Sequence, residues 1–205
     1  MKKILNKIFF GLEISWNNVV LLAVISAIYI AAMLVIPFTV NTSFAASGTT
    51  FELWILLALI IILNSHKPIE AGLKTFVFFL ISQPLIYLFQ VPFSHLGWSI
   101  LMFYPRWFIF TLLTFPGAII AWFIKKDNLF SALILTVATV LLVYLGKYYV
   151  AYVINRFPYY TLAMLFCFIQ AFGYEFVLLK RKENKIVCFI LTLLSAILIL
   201  VFNII

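Results

Sequence analysis

The first long apolar run of the chain is NVVLLAVISAIYIAAMLVIPF, residues 18–38, and it contains no Asp, Glu, Lys or Arg. A helix rises about 1.5 Å per residue, so about 20 apolar residues cross the roughly 30 Å hydrocarbon core of a bilayer. A run of this length is typical of a membrane-spanning helix rather than of the shorter core helices of soluble domains. Residues 18–38 therefore predict a transmembrane helix.

Six more apolar runs follow this one along the chain. We place the seven at 18–38, 50–64, 75–91, 107–124, 129–146, 159–179 and 186–204. The second run is the weakest, because its unbroken core Leu53–Leu63 is too short to span a bilayer alone. The pattern predicts an all-α, polytopic transmembrane helical bundle of seven spans, or of six if the second run does not cross.

The composition of the whole chain agrees with one membrane domain. Hydrophobic residues make up 66% of the 205 residues and charged residues 10%, whereas soluble domains average about 45–50% and 25%. Seven spans with short loops use nearly the whole length and leave no room for a soluble domain. We therefore divide the chain into a cytoplasmic segment, 1–17, and a single transmembrane domain, 18–205.

The segment 1–17 has two interpretations. It carries three lysines, and its apolar residues recur at helical spacing as Leu5, Phe9, Leu12 and Trp16. This pattern is typical of an amphipathic helix in the membrane interface, and a plain cytoplasmic lead-in is the alternative.

The small residues around Ser43 also resemble a signal-peptide cleavage site. The apolar run before them is longer than the 7–15 residues of such signals, so we favour a retained first span.

The basic residues predict the orientation of the bundle. With a cytoplasmic N-terminus and seven alternating runs, eleven of the fourteen fall inside, at Lys2, Lys3, Lys7, Lys67, Lys74, Lys125, Lys126, Lys180, Arg181, Lys182 and Lys185. The other three fall outside, at Arg106, Lys147 and Arg156. This bias is the positive-inside pattern of a multi-pass protein of the cell membrane with a cytoplasmic N-terminus. It also accounts for the net charge of +8, so we expect the lipid bilayer, and no nucleic acid, as a partner.

Signatures of enzymes are absent from the sequence. There is no Gly-rich phosphate loop, HExxH or G-x-S-x-G motif. Both cysteines, Cys167 and Cys188, fall in apolar runs, and no Cys/His cluster has metal-ligand spacing. All six acidic residues fall at interfaces or in loops of the predicted bundle, with Glu175 about one helical turn from Lys180 at a helix end. We therefore expect no enzymatic activity, no metal and no cofactor.

Neutral polar residues lie within three of the predicted spans. They are Gln83, Tyr87 and Gln90 in the third run, Thr111 and Thr114 in the fourth, and Gln170 in the sixth. Gln83, Thr114 and Gln170 each stand near the middle of a run, which predicts a polar layer near the bilayer midplane. Transporters commonly bind their solutes at that depth. The alternative is that these side chains only form hydrogen bonds that hold the helices together.

The outer surface offers a second candidate site. Arg106, between Pro105 and Trp107, is the best defined of the three outer cations, and Glu52 is a candidate partner for it. The pair predicts contact with an anionic ligand or a lipid headgroup. The alternative is an ordinary interfacial belt of aromatic residues with loop charges.

The first span carries a stripe of small residues. Ala23, Ala27 and Ala31 are spaced four residues apart, which permits close contact with another helix. The stripe is similar to one on the first helix of the substrate-binding subunits of energy-coupling-factor vitamin transporters, where it docks a partner subunit. The turn at Pro68–Gly72 is similar to their loop after the second helix. The resemblance implies a partner in the membrane, although those subunits usually have six helices, and internal packing explains the stripe equally.

Two functions compete on these observations. The favoured one is a transport-type protein that binds or passes a small neutral or anionic solute through the polar layer. The alternative is a non-catalytic accessory or scaffold subunit of a membrane complex, which includes the substrate-binding subunit of an energy-coupling-factor-like transporter. The sequence carries no nucleotide-binding motif, so an ATP-driven step would require a partner.

Overall fold

The structure is a computed structural model that describes residues 2–40 and 42–201, with only the backbone of Lys2. Within these residues the chain forms helices and no strands. The α-helices are α1 Lys2–Phe10, α2 Trp16–Val35, α3 Ser43–Ala46, α4 Glu52–Leu63, α5 Pro68–Gln90, α6 Tyr104–Trp122, α7 Leu129–Asn155, α8 Thr161–Leu178 and α9 Lys182–Val201. Two 3-10 helices, Gly97–Phe103 and Phe123–Lys126, flank α6. The last predicted run, 186–204, ends outside the described residues.

Six of these helices are long and apolar enough to cross a membrane. They are α2, α5, α6 with its flanking 3-10 helices, α7, α8 and α9. The predicted transmembrane helical bundle is thereby confirmed. With 12 residues, α4 is about 18 Å long and too short to cross the hydrocarbon core by itself.

The second predicted run, 50–64, contains α4 alone, but together with α3 and the turn before it the segment 43–64 extends from one end of the bundle to the other. At one end the Ser43 hydroxyl donates to the Pro158 carbonyl, in the connection between α7 and α8. At the other end Asn64 Nδ2 donates to the Ile8 carbonyl at 2.7 Å, and its Oδ1 accepts from the Leu12 amide at 2.8 Å. The chain therefore alternates between the two ends of the bundle seven times.

Local sequence signals set the beginnings of these helices. The Ser15 hydroxyl accepts from the Asn18 amide at the start of α2, and Asn128 Oδ1 accepts from the Ser131 amide at the start of α7. These caps satisfy amides that the first helical turn leaves without partners. The helices α2, α5, α7 and α9 all begin at one end, which we call the lysine-rich end because Lys67, Lys125, Lys126 and Lys180 lie there. The other end is called the opposite end.

The alanine stripe of the first span is packed inside the protein. Ala23 and Ala27 have no exposed surface and Ala31 is 3% exposed. Ala23 and Ala27 belong to a core cluster that also contains Phe78 and Ile86 of α5. Because α2 lies against α5 along this stripe, small side chains allow the two helix backbones to approach closely.

The N-terminal helix α1 is amphipathic, and its apolar face covers the lysine-rich end of the bundle. Phe9 is buried and its ring meets the edge of Tyr174 at 6.0 Å, whereas Lys3 and Lys7 are exposed. Leu12 and Trp16, the other two apolar residues of the predicted pattern, are exposed. The contact of α1 with the membrane interface stays a prediction.

Candidate functional site

Residues of α4, α5 and α6, with Leu141 of α7, line a cavity of about 380 Å³, which we call the central cavity. It is open on the side of Leu113 and Leu141, which are 60% and 48% exposed. Its lining residues are Phe51, Trp54, Ile55, Ala58, Ile62, Thr75, Phe79, Gln83, Trp107, Phe110, Thr111, Leu113, Thr114, Gly117, Ala118 and Leu141. The volume is within the range of small-molecule sites, and the mostly apolar wall with a few polar groups is typical of them.

Small residues on the facing helices leave this space open. Ala58 of α4 faces Gly117 and Ala118 of α6 across the cavity. A side-chain carbon placed on Gly117 would meet no atom within 4 Å. A larger side chain at Gly117 would therefore meet no obstacle.

Three buried polar atoms belong to residues that line the central cavity and have no hydrogen-bond partner. They are Trp54 Nε1, Thr75 Oγ1 and Gln83 Nε2. A buried polar group without a partner costs about 1–3 kcal/mol. The indole and amide nitrogens can only donate hydrogen bonds. Both are covered by neighbouring atoms, so a molecule with acceptor atoms in the cavity would satisfy them only after a side chain moves.

The two predicted threonines, Thr111 and Thr114, line the same cavity. The Thr111 hydroxyl donates to the Trp107 carbonyl at 3.0 Å, and the Thr114 hydroxyl donates to the Thr111 carbonyl at 2.6 Å. Because each hydroxyl has one proton, both are committed within α6 and only their lone pairs remain available. These two side chains can therefore accept hydrogen bonds from a bound molecule.

A second cavity of about 360 Å³ lies towards the opposite end, and we call it the end cavity. Its lining residues are Leu34, Gly48, Thr49, Gln83, Ile86, Tyr87, Gln90, Leu96, Ile100, Phe103, Arg106 and Trp107. Gln83 and Trp107 line both cavities, so the two spaces adjoin at these side chains. The structure thus brings together five of the six predicted solute-binding residues, and Arg106 with them.

The sixth residue, Gln170, lies elsewhere. Its Oε1 accepts from the Tyr174 hydroxyl at 2.7 Å within α8, and its buried Nε2 has no partner. Gln170 lines neither the central cavity, nor the end cavity, nor the cavity beside Glu52. In the same group of helices, the hydroxyls of Thr139 on α7 and Thr192 on α9 are 2.8 Å apart. These contacts are the interhelical and intrahelical hydrogen bonds expected of packing residues.

Glu52 and Arg106 are not partners in the structure. Glu52 lines a third cavity of about 230 Å³, together with Tyr29, Ser43, Phe44, Ser47, Leu53, Leu162, Ala163 and Phe166. We call this the carboxylate cavity. Among the described side chains the only ion pair joins Lys74 and Glu70. Arg106, which is exposed, lines the end cavity instead.

Two acidic residues depart from the expectation that all six lie at interfaces or in loops. Glu52 is 2% exposed and Glu175 is fully buried. Glu52 comes to lie inside because α4 begins below the opposite end, after the α3 interruption. Glu175 is covered because α8 continues to Leu178 and packs against α7 and α9.

Sequence reasoning missed two polar groups of the central cavity, Trp54 and Thr75. Trp54 falls in the second run, which shows no apolar periodicity that would distinguish one face from another. Thr75 stands at the predicted start of the third span, whereas α5 already begins at Pro68. The structure therefore places Thr75 two turns inside its helix.

No group of three or more His, Cys, Asp and Glu residues that could hold a metal ion occurs within residues 2–40 and 42–201. Comparisons of the chain with protein-family models, with curated proteins and with solved structures found no significant match. The function is therefore inferred from the cavities and their lining residues alone.

Proposed function

We propose that this chain is a transport-type membrane protein that binds a small solute in the central cavity. The observation that carries the proposal is the convergence of Gln83, Thr111 and Thr114, from two helices, on one cavity. Packing residues mostly find partners on neighbouring helices, but Gln170, which lines none of the three cavities, also has a buried amide nitrogen without a partner. What distinguishes Gln83 from Gln170 is therefore the cavity that its side chain lines, together with Thr111 and Thr114.

The adjoining cavities provide a route for the solute. From the opposite end it meets Arg106, Tyr87 and Gln90 in the end cavity, and then passes Gln83 and Trp107 into the central cavity. Tyr87 and Gln90 stand one and two turns beyond Gln83 on α5. The side chains that share one helix face in the sequence therefore mark successive positions along the route.

The linings define the chemistry of the solute. In the central cavity the rings of Trp54, Phe79 and Phe110 favour an apolar or aromatic body, and the donors at Trp54 and Gln83 favour acceptor atoms on it. The lining contains no charged residue, which favours a neutral group there. Arg106 in the end cavity suits a solute that carries one anionic group.

We infer the orientation from the charge bias. The lysine-rich end lies in the cytoplasm, so the N-terminus is cytoplasmic and the end cavity faces the outside of the cell membrane. Energy for accumulation comes from a partner protein or an ion gradient, because the sequence has no nucleotide-binding motif.

The test compares two buried glutamines after the solute has been identified by mass spectrometry of small molecules that co-purify in mild detergent. We expect Gln83→Leu to weaken binding of that solute at least tenfold and to abolish its uptake into proteoliposomes. Gln170→Leu is the matched control, because it removes an equally buried amide that lines none of the three cavities. Uptake by Gln83→Leu at the rate of the unmodified protein would refute the proposal.

The accessory-subunit alternative gains no support from the alanine stripe. Because Ala23 and Ala27 are fully buried against α5, they offer no surface to a partner unless the bundle opens. Ala27→Leu is therefore expected to lower the stability of the isolated chain. If the variant were as stable as the unmodified protein but lost a co-purifying subunit, the alternative would be preferred.

A further inference from the structure

The carboxylate cavity is separate from the proposed solute route. It shares no lining residue with the central cavity or the end cavity, and it is enclosed by α2, α3, α4 and α8 near the opposite end. Its defining group is Glu52, whose carboxylate is buried while the cavity beside it is open. A ligand at this place would be recognised independently of the solute in the central cavity.

The Glu52 carboxylate lacks partners for its charge. Oε2 is buried without a hydrogen-bond partner. Oε1 lies 2.5 Å from the Thr50 hydroxyl, but that hydroxyl also lies 3.0 Å from the Ala46 carbonyl. One hydroxyl proton cannot serve both acceptors fully. An acidic group in an apolar interior needs a paired cation or a proton, and no described basic side chain forms an ion pair with Glu52.

Two serine oxygens add acceptors to the same cavity. The Ser43 hydroxyl donates to the Pro158 carbonyl, and the Ser47 hydroxyl donates to the Phe44 carbonyl at 2.6 Å. Their protons are committed, so these two hydroxyls can only accept hydrogen bonds from a molecule in the cavity that they line. Together with Glu52 Oε2 they number three, which equals the number of N–H donors of a primary ammonium group.

Aromatic rings complete the lining. Tyr29, Phe44 and Phe166 line the cavity, and each is more than a third exposed, so the cavity reaches the surface of the protein. Aromatic faces attract cations. A volume of about 230 Å³ admits an ammonium group with a short alkyl chain but not a large organic cation.

We propose that the carboxylate cavity binds a primary ammonium group through Glu52, Ser43 and Ser47. The group comes from a small free amine or from the headgroup of phosphatidylethanolamine. Both sources present the same –NH₃⁺ on a short chain, and the exposed aromatic rim is compatible with either.

The first experiment titrates the purified full-length protein with n-propylammonium chloride at constant ionic strength and follows the midpoint of thermal unfolding. We expect a saturable rise that propan-1-ol and sodium chloride do not produce. Glu52→Gln keeps the size of the side chain but removes the charge, and should lower the apparent affinity at least tenfold. Glu183→Gln, at an exposed position of the lysine-rich end, is the control and should leave the titration unchanged.

A second pair of variants keeps the test decisive if Glu52→Gln does not fold. Tyr29→Leu and Phe166→Leu change side chains that are 40% and 43% exposed, so the fold should survive, and each should weaken propylammonium binding several-fold. An unchanged titration in all of these variants would overturn the proposal. Equal stabilisation by sodium chloride would also overturn it, because it would indicate a general salt effect.

The third experiment identifies the source of the ammonium group. In nanodiscs of phosphatidylethanolamine, but not of phosphatidylcholine, the unmodified protein should be more stable than Glu52→Gln if the lipid headgroup occupies the cavity. The trimethylated headgroup of phosphatidylcholine has no N–H donors. If the source is a free amine, propylammonium stabilises the protein, and the stability difference between the unmodified protein and Glu52→Gln is the same in both lipids. If neither propylammonium nor phosphatidylethanolamine stabilises the protein, the cavity binds no primary ammonium group and the proposal is wrong.

Discussion

Two groups of three helices bury polar side chains in this bundle, and they use them differently. In α7, α8 and α9 the hydroxyls of Thr139 and Thr192 are 2.8 Å apart, and Gln170 accepts from Tyr174. In α4, α5 and α6 the amide nitrogen of Gln83 and the indole nitrogen of Trp54 have no partner and line the central cavity. Buried polar atoms without partners also occur in the first group, at Gln170 and Glu175, so the difference between the groups is the cavity that Gln83 and Trp54 line.

The comparison shows that a buried polar residue in a membrane-spanning helix can either pack against its neighbours or line a cavity. Gln83 and Gln170 are both buried near the middle of long apolar helices, and sequence position does not separate them. The separation comes from the neighbouring helices. Each glutamine has a tyrosine one turn away on its own helix. Gln170 accepts a hydrogen bond from Tyr174, whereas Gln83 and Tyr87 both line the end cavity.

The largest expected effect comes from enlarging one alanine in each group. Ala171→Leu introduces a large side chain at a fully buried position of α8 and should lower the free energy of unfolding by about 3 kcal/mol, the upper range for overpacking. Ala58→Leu projects into the central cavity and should change it by less than about 1 kcal/mol. Unfolding of both variants in detergent by denaturant titration measures the contrast. Equal losses would show that the central cavity is as closely packed as the α7–α9 core.

A smaller difference is expected between the two glutamines. Gln170→Leu leaves the buried Tyr174 hydroxyl without its acceptor, so the free energy of unfolding should fall by about 2 kcal/mol. Gln83→Leu removes an amide nitrogen that has no partner and should be neutral or slightly stabilising in the protein without solute. Thermal unfolding of the two purified variants compares them. A clear loss of stability in Gln83→Leu would indicate that this side chain is a packing residue after all.

The smallest effect concerns pairs of threonines. A double-mutant cycle of Thr139→Val and Thr192→Val should show a coupling of about 0.6 kcal/mol, the average for hydrogen bonds between membrane helices. The same cycle for Thr111→Val and Thr114→Val should show almost none, since each hydroxyl donates to a backbone carbonyl of its own helix. A coupling of equal size in the two cycles would remove the distinction between the two groups of helices.

Much of the fold was predictable because a bilayer imposes simple requirements on a sequence. Long apolar runs and their polar breaks locate α2, α5, α6, α7, α8 and α9, since backbone groups in hydrocarbon must be satisfied within a helix. The sequence also predicted that the second run does not cross the bilayer alone, because its apolar core of Leu53–Leu63 is shorter than the hydrocarbon core requires. The short helix α3 before this run was not predictable. Its position depends on the contact of Ser43 with a loop more than a hundred residues away.

The sequence by itself determined that this is a helical membrane bundle and which neutral polar residues lie inside it. Only the tertiary structure decided that Gln83, Thr111 and Thr114 share a cavity, that Gln170 does not, and that Glu52 faces a cavity rather than Arg106. The physical reason is that hydropathy is a property of each segment, whereas a cavity depends on the sizes of side chains on several helices. Those side chains meet only after the helices have packed.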